Sequence, residues 1–497
     1  GNYSLAYQNF TSATDTYNTA VGHLAGNQVT TGTNNTLIGG LAGDTLTDAD
    51  YNTVVGTGAL TTDTLGSKST ALGAYALSNQ NFTSATDTHN TAVGNNAGGA
   101  VTTGVQNTLI GSLAGDALTD ADLNVAIGMQ SLTADTLGNA SVAVGTYTLS
   151  SQNFTSATDT FNTAVGHGAG LSVTTGTQNT LIGGLAGDAI TTASYNTAVG
   201  KGALSSATTG AQNTAVGREA AHLTTTGTAN VAIGQSALAA NTTGGTNIAV
   251  GEDALGANTT ASNNTAVGHL ALGANTTGTQ NVAVGSLAGD SITTGNRNTI
   301  LGYNSANSLA DGSDNVALGN QVEVAASVAN TITLGSGISA TGSNDFSFGK
   351  ASNVVTNDFD ADANWSRSSD ERLKKNIVNQ SLGLDFINDL RTVKYNWKPS
   401  NELDASDAQL AHLRRQDADG NVINDMNTTV TMHNFIAQEV KTALDTAGVS
   451  SFGGWKEDDF GVQQVSREMF VIPLVKAVQE LSTQLDAALA RITTLEG

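Results

Sequence analysis

The chain has 497 residues, with 19 Lys+Arg against 42 Asp+Glu, a net charge of −23, 57 Gly, 5% aromatic residues and no Cys. An excess of carboxylates repels nucleic acid, and without Cys there are no disulfides or thiolate metal sites. No apolar run approaches the ~18 residues that a membrane span needs. The composition is also split: Trp365, Trp397, Trp455, Pro399 and Pro473 are the only Trp and Pro, and 5 of the 19 Lys+Arg lie in residues 1–350.

From Asn18 to Asn344 the pentapeptide Asn-Thr-Ala-Val-Gly, or a close variant, occurs 20 times. The step is 17 residues almost throughout, 21 from Ser69 to Asn90 and from Ser141 to Asn162, then 15 and 14 at Asn330 and Asn344. A longer period of 72 residues relates Phe10, Phe82 and Phe154, each in Gln-Asn-Phe-Thr-Ser-Ala-Thr-Asp-Thr. In this register Gly1 falls in mid-rung, which predicts further residues before it. Units this short must stack on their neighbours, which makes residues 1–349 a solenoid shaft. Ala20 and Val21 suit a buried parallel strand, and Gly22 suits the corner after it. Asn18 and its equivalents are expected to ladder along the stack. Twenty rungs at ~4.8 Å give a rod of roughly 95 Å. The interior is thin, so several chains are expected to associate side by side.

These repeats resemble the head repeats of trimeric autotransporter adhesins, which implies a trimeric parallel β-roll. The 14-residue final rung fits that family's usual length, and the three extra residues of the others are placed in outer turns. The family's C-terminal membrane barrel is absent from the sequence, so its secretion route does not carry over. Within the shaft, Asp44, Asp116 and Asp188 share a column; they read either as a cation ring on a threefold axis or as turn residues bonded to their own backbone. His23, His167 and His269 each follow a rung glycine and lie too far apart in sequence for one metal set. The loops at Phe10, Phe82 and Phe154 read as receptor contacts or as braces against a neighbouring chain. The Thr-rich turns raise ice binding, against which stand the interrupting Gly and Asn. No metal and no cofactor are expected.

Residues 350–368 read as an irregular junction. Next comes Ser-Asp-Glu-Arg-Leu-Lys-Lys-Asn-Ile, from Ser369 to Ile377. One reading is a capped helix start, with Ser368 and Glu371 forming a capping box. The other is chemical: a Ser hydroxyl needs a base to become a nucleophile, and a Lys shielded from water can be that base. Alone, Ser and Lys five residues apart mean little. Three further motifs follow in order: Leu390–Lys398, Phe435–Val440 and Ile472–Leu481. Together the four resemble the endosialidase-type intramolecular chaperone of phage tail spikes and fibres, over residues 369–497. The resemblance implies a domain that trimerises, assists folding of the β-structure before it and cuts itself off as a single-turnover autoprotease. It places the cut at Ser368–Ser369, with Ser369 as nucleophile, Lys374 as base, and Asp370, Arg372 and Asn376 in support. His433-Asn434 departs from the family, where a Gly is more usual.

Val471, Leu474, Val478, Leu481, Leu485, Ala488, Ile492 and Leu495 step by alternate threes and fours, which predicts a coiled coil over 471–496. The competing reading is a helix packed on its own domain. The sequence therefore predicts a mainly β repeat shaft of about 20 rungs, followed by an α+β chaperone ending in a trimeric coiled coil. The expected partners are two further copies of the chain and a host-surface receptor, glycan or protein, with no nucleic acid and no membrane span. The place expected is the virion tail. A bacterial surface adhesin with the same modules is the alternative, and a polysaccharide-degrading spike a more distant one, since no pair of carboxylates stands apart from the repeats.

Overall fold

The structure is a computed structural model that describes residues 1–340, 342–358, 370–416, 422–423, 428–429 and 431–497. The chain divides into two compact units, Gly1–Ser368 and Ser369–Gly497.

In the first unit the pentapeptides form 20 parallel strands stacked in sequence order, beginning with Thr19–Val21 on Thr36–Ile38 and ending with Ile332–Ser336 on Asp345–Lys350. Pairing is in register, Ala20 over Leu37 and Ala198 over Ala215. The expected Asn ladder is present. The Asn230 backbone N–H donates to Asn213 Oδ1 at 3.0 Å, while Asn213 Nδ2 donates to the Gly227 carbonyl at 2.9 Å. The same two bonds recur along the column except at Ser69 and Ser141, after which the Asn90 and Asn162 N–H groups donate to Thr88 and Thr160 instead, and the members from residue 35 to residue 315 are at most 1% exposed. The rung glycine is required by geometry. At Gly217 φ is 136°, and a Cβ there would stand 2.4 Å from the Gly234 carbonyl oxygen.

The core closes within one chain. Leu37, Val54, Leu109 and Leu181 at strand centres are fully buried, as are Ala25, Ala42 and Leu46 beyond the corner. A neighbouring chain is therefore not needed to complete the interior, contrary to the argument from its thinness. What one chain leaves uncovered is the outer strand face, where Val21, Ile38, Leu72, Ile233 and Leu301 are 37–56% exposed.

Three expectations are corrected here. The ladder position in the last two rungs is Thr331 and Asp345, not Asn330 and Asn344. Thr331 N–H donates to Asn315 Oδ1 at 3.1 Å, and the strands pair Val316 with Ile332 and Ile332 with Phe346, steps of 16 and 14. Asn330 and Asn344 instead occupy the left-handed position just before it, with φ of 58° and 65°. Second, the junction is not irregular throughout. Asn353–Asp358 is a strand that folds back antiparallel on Asp345–Lys350 and covers the last edge of the stack. Third, the polar residues inside the shaft go beyond the Asn column. In the first 21-residue rung Asp63, Ser69, Gln80, Thr88 and Asn90 form a buried network, with Gln80 Nε2 donating to Asp63 Oδ2 at 2.6 Å and to Ser69 Oγ at 2.9 Å. Asp135, Ser141, Gln152, Thr160 and Asn162 repeat it. Every member has a partner, as buried polar groups must.

The second unit is small. Helices α1 (Leu384–Asn388), α2 (Ala437–Thr446) and α3 (Val471–Glu496) surround a core of Leu382, Phe386, Val440, Ala443, Leu444 and Phe470. Two antiparallel pairs flank it, Val393–Tyr395 with Met432–Asn434 and Trp455–Glu457 with Gln463–Val465.

Candidate functional site

The first motif is built on a single helical turn, Glu371–Leu373. Its cap is Asp370, whose Oδ1 accepts the Arg372 N–H at 2.9 Å. Asp370 is thus the cap of this turn, and Ser368 of the expected capping box lies outside the described residues. The Arg372 guanidinium also binds Asp370, Nη2 to Oδ2 at 2.5 Å, and these bonds hold the Asp370 carboxyl below the usual carboxylate range. Lys374 ends the turn in extended conformation, with φ −110° and ψ 149°, and its side chain is exposed. Asn376 takes a left-handed φ of 57°. Ser368 and Ser369 lie outside the described residues, as does Trp365. The expected positions of Asp370 and Arg372 are therefore tied to one another, and Asp370 orders the turn that presents Lys374.

The other three motifs converge. Strand pairing sets Lys394 opposite His433, which joins the second motif to the start of the third. The Arg391 guanidinium and the Glu439 carboxylate close the same junction, Nη2 to Oε1 at 2.5 Å. The fourth motif enters through Glu480 on α3, whose carboxylate accepts the Leu384 N–H at 2.7 Å. That bond is the main cause holding the Glu480 carboxyl below its ordinary value. A Cβ at Gly383 would stand 2.2 Å from Glu480 Oε2, so a larger residue there would displace this carboxylate. Phe435 and Phe470 pack with centroids 4.9 Å apart. The His433-Asn434 departure from the family lies on the strand edge of an open depression of about 430 Å³, lined also by Lys394, Phe435 and Arg467.

Helix α3 carries the apolar seam, and every one of its residues from Leu481 on is exposed. Its packed face is Pro473 and Ala477, while Val471, Leu474, Val478, Leu481 and Leu485 are 50–58% exposed and Ile492 and Leu495 are 48% and 84% exposed. Ala488 is exposed as well. The heptad seam does not pack on its own domain.

The shaft candidates fare unevenly. Phe82 and Phe154 are only 6% exposed, so their rings are not surface contacts; the Phe82 N–H is held by Asp63 Oδ1 at 3.0 Å, and Thr83, Ser84 and Ala85 form the outer tip. Phe10 is half-buried. Asp44 and Asp116 accept hydrogen bonds from Thr61 and Thr133 one rung on, at 2.6 and 2.5 Å. At Asp188 the next rung offers Ser205, which bonds His222 Nδ1 at 2.7 Å instead. Asp188 Oδ1 has no partner, and burial pushes its carboxyl up. His23, His167 and His269 are exposed. Among the described residues no group of three or more His, Cys, Asp or Glu could hold a metal ion, and no helix is long and apolar enough to cross a membrane.

Residues 369–449 match the family described as chaperone of endosialidase, a peptidase family, and the match takes in the first three motifs. A search of curated proteins returned no match. The family implies autoproteolytic chaperone activity. The matched segment opens at the first residue of the second compact unit, Ser369. The chain thus joins a parallel β-solenoid shaft to an endosialidase-type intramolecular chaperone domain, a build that fits a tail-fibre or tail-spike protein.

Proposed function

We propose that this chain is the host-attachment fibre of a phage tail, assembled as a homotrimer by its C-terminal chaperone, which then cuts itself away. The observation that carries the reading is a coincidence of boundaries. The division between compact units, the first residue of the family match and the Ser of the Ser-Asp-x-Arg-Leu-Lys motif all fall at Ser369. Two uncovered apolar surfaces support association of copies: the α3 seam, and the outer strand face that continues through all the rungs with Val, Ile, Leu or Phe at the third strand position.

In the proposed cut Ser369 Oγ attacks the Ser368 carbonyl carbon while Lys374 Nζ takes the hydroxyl proton. The peptide C–N bond breaks, the nitrogen leaves as the Ser369 amine, and an ester joins Ser368 to Ser369 Oγ. Water then hydrolyses the ester and frees residues 369–497. Lys374 is exposed in the single chain, so the reaction awaits neighbouring chains that exclude water around it. The test is the intact mass of the purified chain. Wild type should yield a cut after Ser368, while Ser369→Ala and Lys374→Ala should each leave an uncut chain of 50.2 kDa that still trimerises. Lys375→Ala should cut normally. An uncut wild-type trimer, or a new N-terminus elsewhere, refutes the assignment.

A further inference from the structure

The shaft carries a second ordered surface. The residue directly before each ladder position has a left-handed backbone, with φ of 51° at Tyr17, 59° at Asn34, 61° at Tyr51 and 63° at Tyr195. Asn and Gly adopt that conformation most readily, and bulky residues there are uncommon. Yet from the first rung to the eleventh, every second rung places a large side chain at it: Tyr17, Tyr51, His89, Leu123, Phe161 and Tyr195. Polar or small residues such as Asn34, Gln106 and Ala140 fill the rungs between. Tyr17 is 72% exposed, Tyr51 59%, Leu123 54%, Phe161 58% and Tyr195 56%. Left-handed Leu and Tyr recur in other columns too, Tyr75 at φ 60° and 53% exposed among them, so what sets this column apart is its exposure together with the two-rung alternation.

After Tyr195 the column turns to Gln212, Ala229, Thr246 and Asn263 and holds no further aromatic. The apolar strand face, by contrast, runs the whole shaft. The column is therefore not an extension of the surface by which copies would pack. Two-rung steps set its members ~9.6 Å apart and spread them over ~48 Å. Evenly spaced large side chains, rings at every place but Leu123, call for a partner with the same translational repeat. An extended polysaccharide has one: alternate hexopyranose rings advance by a similar distance and offer apolar C–H faces to aromatic rings while their hydroxyls stay in water. Exposed carboxylates lie alongside. Tyr17 Oη donates to Asp15 Oδ2 at 3.4 Å, and Asp159 stands two residues before Phe161, while Asp87, two residues before His89, is ion-paired with Lys68 of the rung before at 2.5 Å. Such groups accept hydrogen bonds from sugar hydroxyls and repel anionic chains.

We propose that the column from Tyr17 to Tyr195 is a binding track for a neutral, linear polysaccharide. This rests on the host-attachment reading and names the chemical class of its receptor. The test uses the full-length assembled chain. Tyr51, Phe161 and Tyr195 are changed together to Asn, the residue already present at Asn34 and Asn263, so that the rings go and the backbone is kept. Gln212→Asn with Gln280→Asn is the control. Retardation is read in native gels containing hydroxyethyl cellulose, galactomannan or dextran, with heparin as the anionic comparison. Wild type should be retarded by at least one neutral polymer and not by heparin, with the dissociation constant rising at least tenfold in the triple variant and unchanged in the control. Free migration of wild type through every neutral polymer overturns the track, and so does an unchanged triple variant. A triple variant of altered size in light scattering also overturns it, because the column would then be a contact between copies. Adsorption to a panel of whole bacterial cells scores attachment separately. Equal adsorption of wild type and triple variant leaves attachment standing and removes the track; adsorption to no cells and no polymer removes both.

Discussion

Removing one rung of the Asn ladder should open the shaft locally by an amount that follows from its bonds. Asn213 is 1% exposed. Its Oδ1 accepts the Asn230 N–H at 3.0 Å and Asn230 Nδ2 at 3.1 Å, and its Nδ2 donates to the Gly227 carbonyl at 2.9 Å. Asn213→Ala leaves the Asn230 N–H and the Gly227 carbonyl without those partners in a dry interior. At ~1–3 kcal/mol for each stranded group, the loss is about 2–6 kcal/mol. Rungs touch only their neighbours, so the damage stays near residues 196–247 rather than spreading along the shaft. Amide hydrogen exchange reads it directly. Because ~1.4 kcal/mol is tenfold, protection of the Asn230 amide should fall by roughly thirtyfold or more. Gln212→Ala, one residue away on the outer column, should change stability by no more than ~0.5 kcal/mol. If Asn230 protection in Asn213→Ala falls less than threefold, the ladder is not what holds adjacent rungs, and the reasoning fails.

Other perturbations separate the remaining parts of the argument. Gly217→Ala sets a Cβ 2.4 Å from the Gly234 carbonyl at φ 136°, so it should cost more than the ~1–3 kcal/mol of backbone strain alone and show as lost soluble yield, whereas Gly184→Ala, with nothing within 4 Å, should be tolerated. Leu481→Glu with Leu485→Glu changes two side chains that are 54% and 57% exposed; light scattering should show loss of the proposed trimer while tryptophan fluorescence keeps its folded signature. Asp188 has a raised folded-state pKa through burial, opposed by its backbone hydrogen bond and by His222. Its contribution is therefore present at low pH and lost as pH rises from the ordinary carboxylate value through the folded one. Asp188→Asn should raise the melting temperature at pH 7, and the gain should vanish in acid.

Periodic features were legible in the sequence because a repeat forces the same environment on every copy. The Asn column, the rung glycine and the parallel register all follow from that, and so does the exposed seam of α3. Legibility failed where the period broke. Asn330-Thr331-Ile332-Thr333-Leu334-Gly335 contains one residue more than the pentapeptide, and it is the Thr331 bond to Asn315 and the strand pairing that show Thr331 holds the ladder place. Phe82 and Phe154 looked like loop contacts because an aromatic in an insertion usually points outward, but Asp63 and Asp135 draw their N–H groups inward. The second buried polar column, where Asn258 Nδ2 donates to Asn241 Oδ1 at 3.0 Å and Asn275 Nδ2 to Asn258 Oδ1 at 3.0 Å, was masked by the Leu, Val and Ile that share its place in other rungs. The column from Tyr17 to Tyr195 gives a weak sequence signal because it alternates across two rungs. At the candidate cut the motif was readable, but the residue that caps its turn was not, since Asp and Ser cap equally well and Asp370 does so here.

The polar networks also bear on why such a shaft would need a chaperone. Thr197–Val199 and Thr214–Val216 have the same sequence, Thr-Ala-Val, so a slip by one rung preserves the strand pairing. A slip at Asp63 is different: it would take the carboxylate from Gln80 and set it against aliphatic side chains, which costs several kcal/mol for an unpaired buried charge. Asp63–Gln80 and Asp135–Gln152 thus mark register in the first half of the shaft. From Asn162 to Asn315 the step is a uniform 17 residues and no buried Asp–Gln pair occurs among the described residues. That half's register marks are neutral ones, the buried run Thr224, Asn241, Asn258 and Asn275, whose misplacement strands an amide rather than a carboxylate, so slipped arrangements lie closer in energy there, and low register specificity is what invites misassembly. It is also the half that leads, in sequence, to the chaperone domain. An assembly that begins with α3 seams and proceeds from the C-terminal rungs would fix register first where the sequence fixes it least. The early rungs would follow, their Asp–Gln networks each accepting only one neighbour.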